Sequence, residues 1–157
     1  VERVAKIKGL NAKKHDFSFI FHDLSHISDF TKQLNTPTYK LMKRNLPGPF
    51  TFILNANNRI PKLFRNKKKT IGIRIPNHNI PREIVKEFSN PILSTSVKDE
   101  DSLIEHSTDP ELIYNKLKKL VEIVIDGGYG GIHPSTVIDC TKEEYKIIRK
   151  SKEEIKF

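Results

Sequence analysis

Hydrophobic and polar positions alternate most clearly at Thr70–Ile75. Ile71, Ile73 and Ile75 share one face of an extended segment, and Thr70, Gly72 and Arg74 share the other. Aromatic and β-branched content predicts further strands at Phe17–Phe21 (FSFIF), Phe50–Leu54 and Pro91–Val97. Val121–Ile125 (VEIVI) reads as a buried strand ended by Asp126-Gly127-Gly128. Ser135–Cys140 and Tyr145–Arg149 read as a hairpin around Thr141–Glu144.

Helical spacing fills the intervals. Val1, Val4, Ala5 and Lys8 fall at helical positions with no N-cap before them, so the natural protein is expected to continue upstream. Ser25–Leu34 reads as a short helix. Thr36 as N-cap and Pro37 at the first helical position open the next, with Tyr39, Met42 and Leu46 as its apolar stripe. Pro47-Gly48-Pro49 stops it. Pro61–Arg65 reads as a helical turn, Asn66–Lys69 as a basic loop and Lys98–Ser107 as a polar, acidic loop. Pro81–Phe88 forms a helix with Ile84, Val85 and Phe88 on one face. Thr108-Asp109-Pro110 begins another, with Ile113, Leu117 and Leu120 in register.

A chain of 157 residues, 36% hydrophobic and 30% charged, suits one globular domain. At this size folding buries roughly 70% of the unfolded surface. No apolar run approaches the ~20 residues of a membrane span, and no signal-peptide pattern opens the chain. The single cysteine, Cys140, excludes an intramolecular disulfide framework, reads as a core residue and fits a reducing compartment. His15, His22 and His26 have no ligand-pair spacing, so no metal site is expected. The net charge of +9 favours anionic partners such as nucleotides or RNA, and is also ordinary for a lysine-rich proteome.

The alternation gives the first candidate chemistry. On one strand face Gly72 leaves room for a ligand and Arg74 offers a fork of donors, which together suit an anion. A solvated face with a surface arginine satisfies the same spacing. Thr51 follows the rigid Pro-Gly-Pro turn, which fixes where its hydroxyl points; a β-branched residue in a strand is the plainer account. Ser94, Thr95 and Ser96 place three hydroxyls at a strand end, as donors to phosphate or carboxylate or as a polar terminus satisfying loop backbone. Lys6, Lys8, Lys13, Lys14 and His15 form either a phosphate-facing loop or a solvated turn. No GxxxxGK[ST] pattern occurs, which excludes a P-loop.

PGPFTFIL, TIGIRIP, PILSTS, DGG and PSTVIDCT, in this order, resemble the YrdC/YciO domain family. Its best-known members are threonylcarbamoyl-AMP synthases of transfer-RNA modification. The resemblance implies an α/β fold, a twisted open mixed sheet with flanking helices and a positively charged cleft. It also implies a domain over residues 1–150, a tail over 151–157, and a cytoplasmic location. The implied reaction turns threonine, bicarbonate and ATP into threonylcarbamoyl-AMP and pyrophosphate, with Mg2+ sharing the electrostatic work. By matching positions, Lys8, Thr51, Ser96 and Arg149 would touch the nucleotide, and Arg74, Ser94 and Ser135 the amino acid. No residue is singled out as catalytic.

Some positions depart from the family pattern. The upstream Pro-Thr-Asp-Thr-type segment is not in the sequence. The Lys-x-Arg signature reads Lys8-Gly9-Leu10, and Ser-x-Asn reads Ser96-Val97-Lys98. These last two features resemble the YciO branch. Three functions therefore stand side by side: a synthase-like enzyme, a double-stranded RNA or tRNA-binding module, and a divergent domain without activity of its own. No RGG, RNP or KH signature accompanies the basic charge.

Overall fold

The computed structural model describes residues 2–9, 17–59, 69–97 and 108–157. Leu10, Lys13, Lys14, His15, Lys98 and the segments expected over 61–65 and 99–107 lie outside the described residues.

In chain order the elements are α1 (Glu2–Ile7), β1 (Ser18–Ile20), α2 (Thr36–Asn45), β2 (Phe50–Asn55), β3 (Thr70–Arg74), α3 (Asn79–Phe88), β4 (Ile92–Ser94), α4 (Pro110–Leu117), β5 (Thr136–Asp139) and β6 (Lys146–Arg149). The strands form one six-stranded sheet in the order β4-β1-β3-β2-β5-β6. β1 runs parallel to β3 and β2 parallel to β5; the other neighbours are antiparallel. This is the open mixed α/β sheet that the family resemblance implies. The described residues divide into two compact units, Val1–Ser94 with Ser135–Phe157, which holds the sheet, and Thr95–Pro134, which holds α4.

One sheet face is the core. Phe19, Ile73, Phe52 and Ile138 follow one another across β1, β3, β2 and β5 and are all buried. Ile71, Ile75, Leu54, Leu41, Met42 and Cys140 join the same cluster. On the opposite face Ser18, Ile20, Arg74, Ile53 and Val137 are half-buried, while Thr51 and Gly72 are buried. A two-residue period with one face apolar fixes this register, since a one-residue slip would move every isoleucine of β3 to the other side.

Several elements differ from what the sequence pattern predicts. Ser25–Leu34 is not a helix: only Ile27–Asp29 makes a 3-10 turn. Thr31 leaves it to bridge Ala56, and the Asn57 amide donates to the carbonyls of Asp29 (2.9 Å) and Thr31 (3.2 Å). In α2 the N-cap is Asn35 rather than Thr36, because the Asn35 side chain accepts from Thr38 N–H at 2.8 Å. Its buried face is Thr38, Leu41, Met42 and Asn45, leaving Tyr39 44% exposed. α3 starts at Asn79 behind the N-cap His78, and Phe88, expected inside, is 63% exposed. β4 covers only Ile92–Ser94 of the expected Pro91–Val97, and α4 stops at Leu117.

The largest difference lies at Val121–Ile125, which is irregular rather than a buried strand, with Ile123 75% and Ile125 56% exposed. Residues 151–157 are anchored: Asn45 Nδ2 donates to the Lys156 carbonyl and Lys156 N–H donates back to Asn45 Oδ1, both at 2.8 Å. No helix among the described residues is long and apolar enough to cross a membrane.

Candidate anion site on the half-buried sheet face

The Pro-Gly-Pro turn sets the site. A Cβ on Gly48 would lie 2.5 Å from the Asn45 carbonyl, so the residue must be glycine to let the chain pass. Gly48 N–H donates to Ile75 O at 2.9 Å, and Pro49 O accepts from Thr136 N–H at 2.9 Å. The turn is thereby tied to the end of β3 on one side and the start of β5 on the other. Thr51, the second residue of β2, is held between them.

Strand register then assembles a row. Ile20 pairs with Arg74, Thr51 with Val137, and Val137 with Arg149. Extending the β2–β3 pairing of Phe52 with Ile73 by one residue sets Arg74 opposite Thr51. Arg74, Thr51 and Arg149 thus lie on one face. The next row on that face is Ser94, Ser18 and Gly72, from three adjacent strands.

The side chains connect within this face. Thr51 Oγ1 and Ser135 Oγ are 2.8 Å apart. The Arg149 guanidinium spans Ser135, donating from Nε to its carbonyl (3.0 Å) and from Nη2 to its hydroxyl (3.2 Å). Ser94 Oγ donates to the Ser18 carbonyl at 3.1 Å, and the two seryl oxygens are 3.0 Å apart.

Arg74 is the electrostatic feature of the site. Its Nε is buried without a hydrogen-bond partner. Burial first, and the like charge of Arg149 second, push its pKa below the ordinary arginine value. A guanidinium stays protonated in proteins, so the shift expresses the cost of holding a half-buried cation beside another. An anion placed between the two would relieve that cost. The cluster consists of cations and hydroxyls, which suits gripping carboxylate or phosphate rather than shuttling protons.

Thr51, Arg74, Ser94, Ser135 and Arg149, all picked out in the sequence, therefore occur on one sheet face. Lys8 lies just past α1 and is half-buried. Ser96 belongs to the second unit. Ser18 escaped the sequence reading. Its signal was available, since alternation in FSFIF puts Ser18 on the face opposite Phe17, Phe19 and Phe21. At Gly72, expected to leave room for a ligand, a Cβ would come within 3.2 Å of Ser18 Cβ, so the glycine makes room for its cross-strand neighbour.

Comparison with known proteins shows the family and the fold. The chain is 37% identical over 157 residues to the uncharacterized protein YciO of Escherichia coli (strain K12), spanning 99% of this chain and 75% of that protein. It is 29% identical over 147 residues to the threonylcarbamoyl-AMP synthase of Pyrococcus abyssi, spanning 90% of this chain and 41% of the synthase. The crystal structure of E. coli YciO superposes with a TM-score of 0.87 at 36% identity, covering 99% of this chain and 74% of that one. Sua5 of P. abyssi complexed with L-threonine shares the fold, with a TM-score of 0.83 at 24% identity, covering 96% and 44%. The Sua5/YciO/YrdC family model, described as "Telomere recombination", matches residues 1–151, and the chain belongs to that family.

Proposed function

We propose that the half-buried sheet face binds L-threonine and ATP, and that the protein acts as a threonylcarbamoyl-AMP synthase-type nucleotidyltransferase in tRNA modification in the cytoplasm. Threonine, bicarbonate and ATP would give threonylcarbamoyl-AMP, pyrophosphate and water. The observation that carries the reading is the unpartnered Nε of Arg74 beside Arg149. The support from relatives is the similarity to threonylcarbamoyl-AMP synthases, among them that of P. abyssi, and the L-threonine bound in P. abyssi Sua5.

In this reading Arg74 takes the threonine carboxylate, with Ser94 close by in the neighbouring row. Arg149, Ser135 and Thr51 form the phosphate side. If Ser135 Oγ accepts from both Arg149 Nη2 and Thr51 Oγ1, its own proton is free to donate to a phosphate oxygen. Fixed donors of this kind position the substrates and stabilise charge that develops on transfer. Lys8 enters through its resemblance to the family signature. Among the described residues no group of three or more His, Cys, Asp or Glu side chains could hold a metal. Mg2+ would arrive on the triphosphate and shield its charge.

The test is pyrophosphate release from ATP that requires both L-threonine and bicarbonate. Release independent of threonine, or none together with no threonine binding by calorimetry, refutes the reading. The net charge of +9 favours a second reading, binding of double-stranded RNA. Labelled duplex RNA titrated at two salt concentrations would then lose affinity with a log–log slope of roughly 0.7–0.9 per phosphate contacted; no binding at low salt removes it.

A further inference from the structure

We propose that Ser18 is a specificity-determining residue of this face, forming with Ser94 a hydrogen-bond acceptor that selects small amino acids with a side-chain hydroxyl. The inference rests on the proposed binding of an amino acid at Arg74.

Proton accounting defines what the pair can accept. Ser94 Oγ gives its only proton to the Ser18 carbonyl. The bond between the two hydroxyl oxygens must then be donated by Ser18. Both protons are consumed inside the pair, and only lone pairs face outward. A ligand O–H finds acceptors there, whereas a methyl group finds a polar surface it cannot satisfy. Both serines are half-buried, so the lone pairs are within reach of a ligand.

Size and spacing agree with this. Ser94, Ser18 and Gly72 make a row of small residues across adjacent strands, and Arg74 stands two residues beyond Gly72 on β3. That offset is about 7 Å along a strand. It matches a small amino acid whose carboxylate sits on Arg74 and whose β-hydroxyl makes one hydrogen bond of about 2.8 Å to the row. A Cβ on Gly72 would come within 3.2 Å of Ser18 Cβ, so Ser18 and Gly72 are in close contact within the row.

The experiment is calorimetry on the full chain with ATP and Mg2+, comparing L-threonine with its near-isostere L-valine. Wild type should prefer threonine. Ser18→Ala keeps Cβ and leaves the bond from Ser94 to the Ser18 carbonyl intact, so it should weaken threonine binding about three- to tenfold and leave valine unchanged. Ser18→Thr should retain the preference. If Ser18→Ala binds threonine with the wild-type ratio to valine, the inference is wrong and amino-acid binding at Arg74 stands. Equal weakening for both ligands, with a lowered melting temperature, also overturns it, since Ser18 would then be structural. If wild type binds neither amino acid, the binding reading itself fails and this inference falls with it.

Discussion

Replacing Arg74 by alanine separates ligand binding from folding, because the structure sets the two effects in opposite directions. In the free protein the guanidinium is half-buried, its Nε has no partner, and Arg149 repels it. A buried donor left unsatisfied costs about 1–3 kcal/mol. Part of that cost disappears with the side chain. The stem of the arginine packs on a half-buried face, and losing it offsets some of the gain. The free protein should therefore melt no lower than wild type. Each net kcal/mol gained would raise the melting temperature by about 2–4 °C at this chain length.

With ligand the sign reverses. A hydrogen bond to a charged group contributes about 1.5–3 kcal/mol, so Arg74→Ala should weaken L-threonine binding roughly ten- to a hundredfold. Arg74→Lys should recover only part, since one ammonium cannot make the bidentate contact. Calorimetry with ATP and Mg2+, paired with thermal melts of the free protein, measures both. An alanine variant that binds threonine as well as wild type and melts several degrees lower refutes the reasoning, and makes Arg74 a structural residue.

Three further outcomes follow from particular contacts. Gly48→Ala sets a methyl against the Asn45 carbonyl and should cost about 1–3 kcal/mol by chemical denaturation, while loosening ligand binding through displacement of Thr51. Asn45→Ala removes the amide that holds Lys156 and should cost about 1–3 kcal/mol, with hydrogen-exchange protection lost at Lys156 N–H. Burial first and Asp139 second push the Cys140 thiol up to about 12, so it should resist thiol reagents at pH 8 until the protein unfolds. Because its folded pKa is raised, its contribution to stability is complete below the unfolded value near 9.0 and is lost as pH rises toward 12. Denaturation of wild type and Cys140→Ala at pH 8 and pH 10.5 checks that sign.

Much of the site was legible because β3 carries its own instructions. Ile71, Ile73 and Ile75 declare the core face, so Gly72 and Arg74 must share the other. Which residues of other strands stand beside them was not legible, because register is a property of pairs. The motifs PGPFTFIL and PSTVIDCT named Thr51 and Ser135 by resemblance; only the ties from Gly48 to Ile75 and from Pro49 to Thr136 show why they meet. The same limit accounts for α2. Of its apolar stripe Met42 and Leu46 are buried, but Tyr39 stays outside, and Asn45 faces inward to hold Lys156. At 25–34 local pattern suggested a helix, and the Asn57 amide claimed the carbonyls instead.

Val121–Ile125 shows what periodicity leaves undecided. Its composition is that of a strand, with the β-branched residues Ile123, Val124 and Ile125 in succession. A strand also needs a neighbour to take its N–H and C=O groups, and among the described residues the sheet runs β4-β1-β3-β2-β5-β6 without using this segment. Ser18 is the converse case. One polar residue among phenylalanines carried little weight in FSFIF, yet pairing with both Ser94 and Gly72 gives it a place in the candidate site. In both cases the sequence states a local tendency, and the pairing of strands decides whether that tendency becomes structure and whether the structure can meet a ligand.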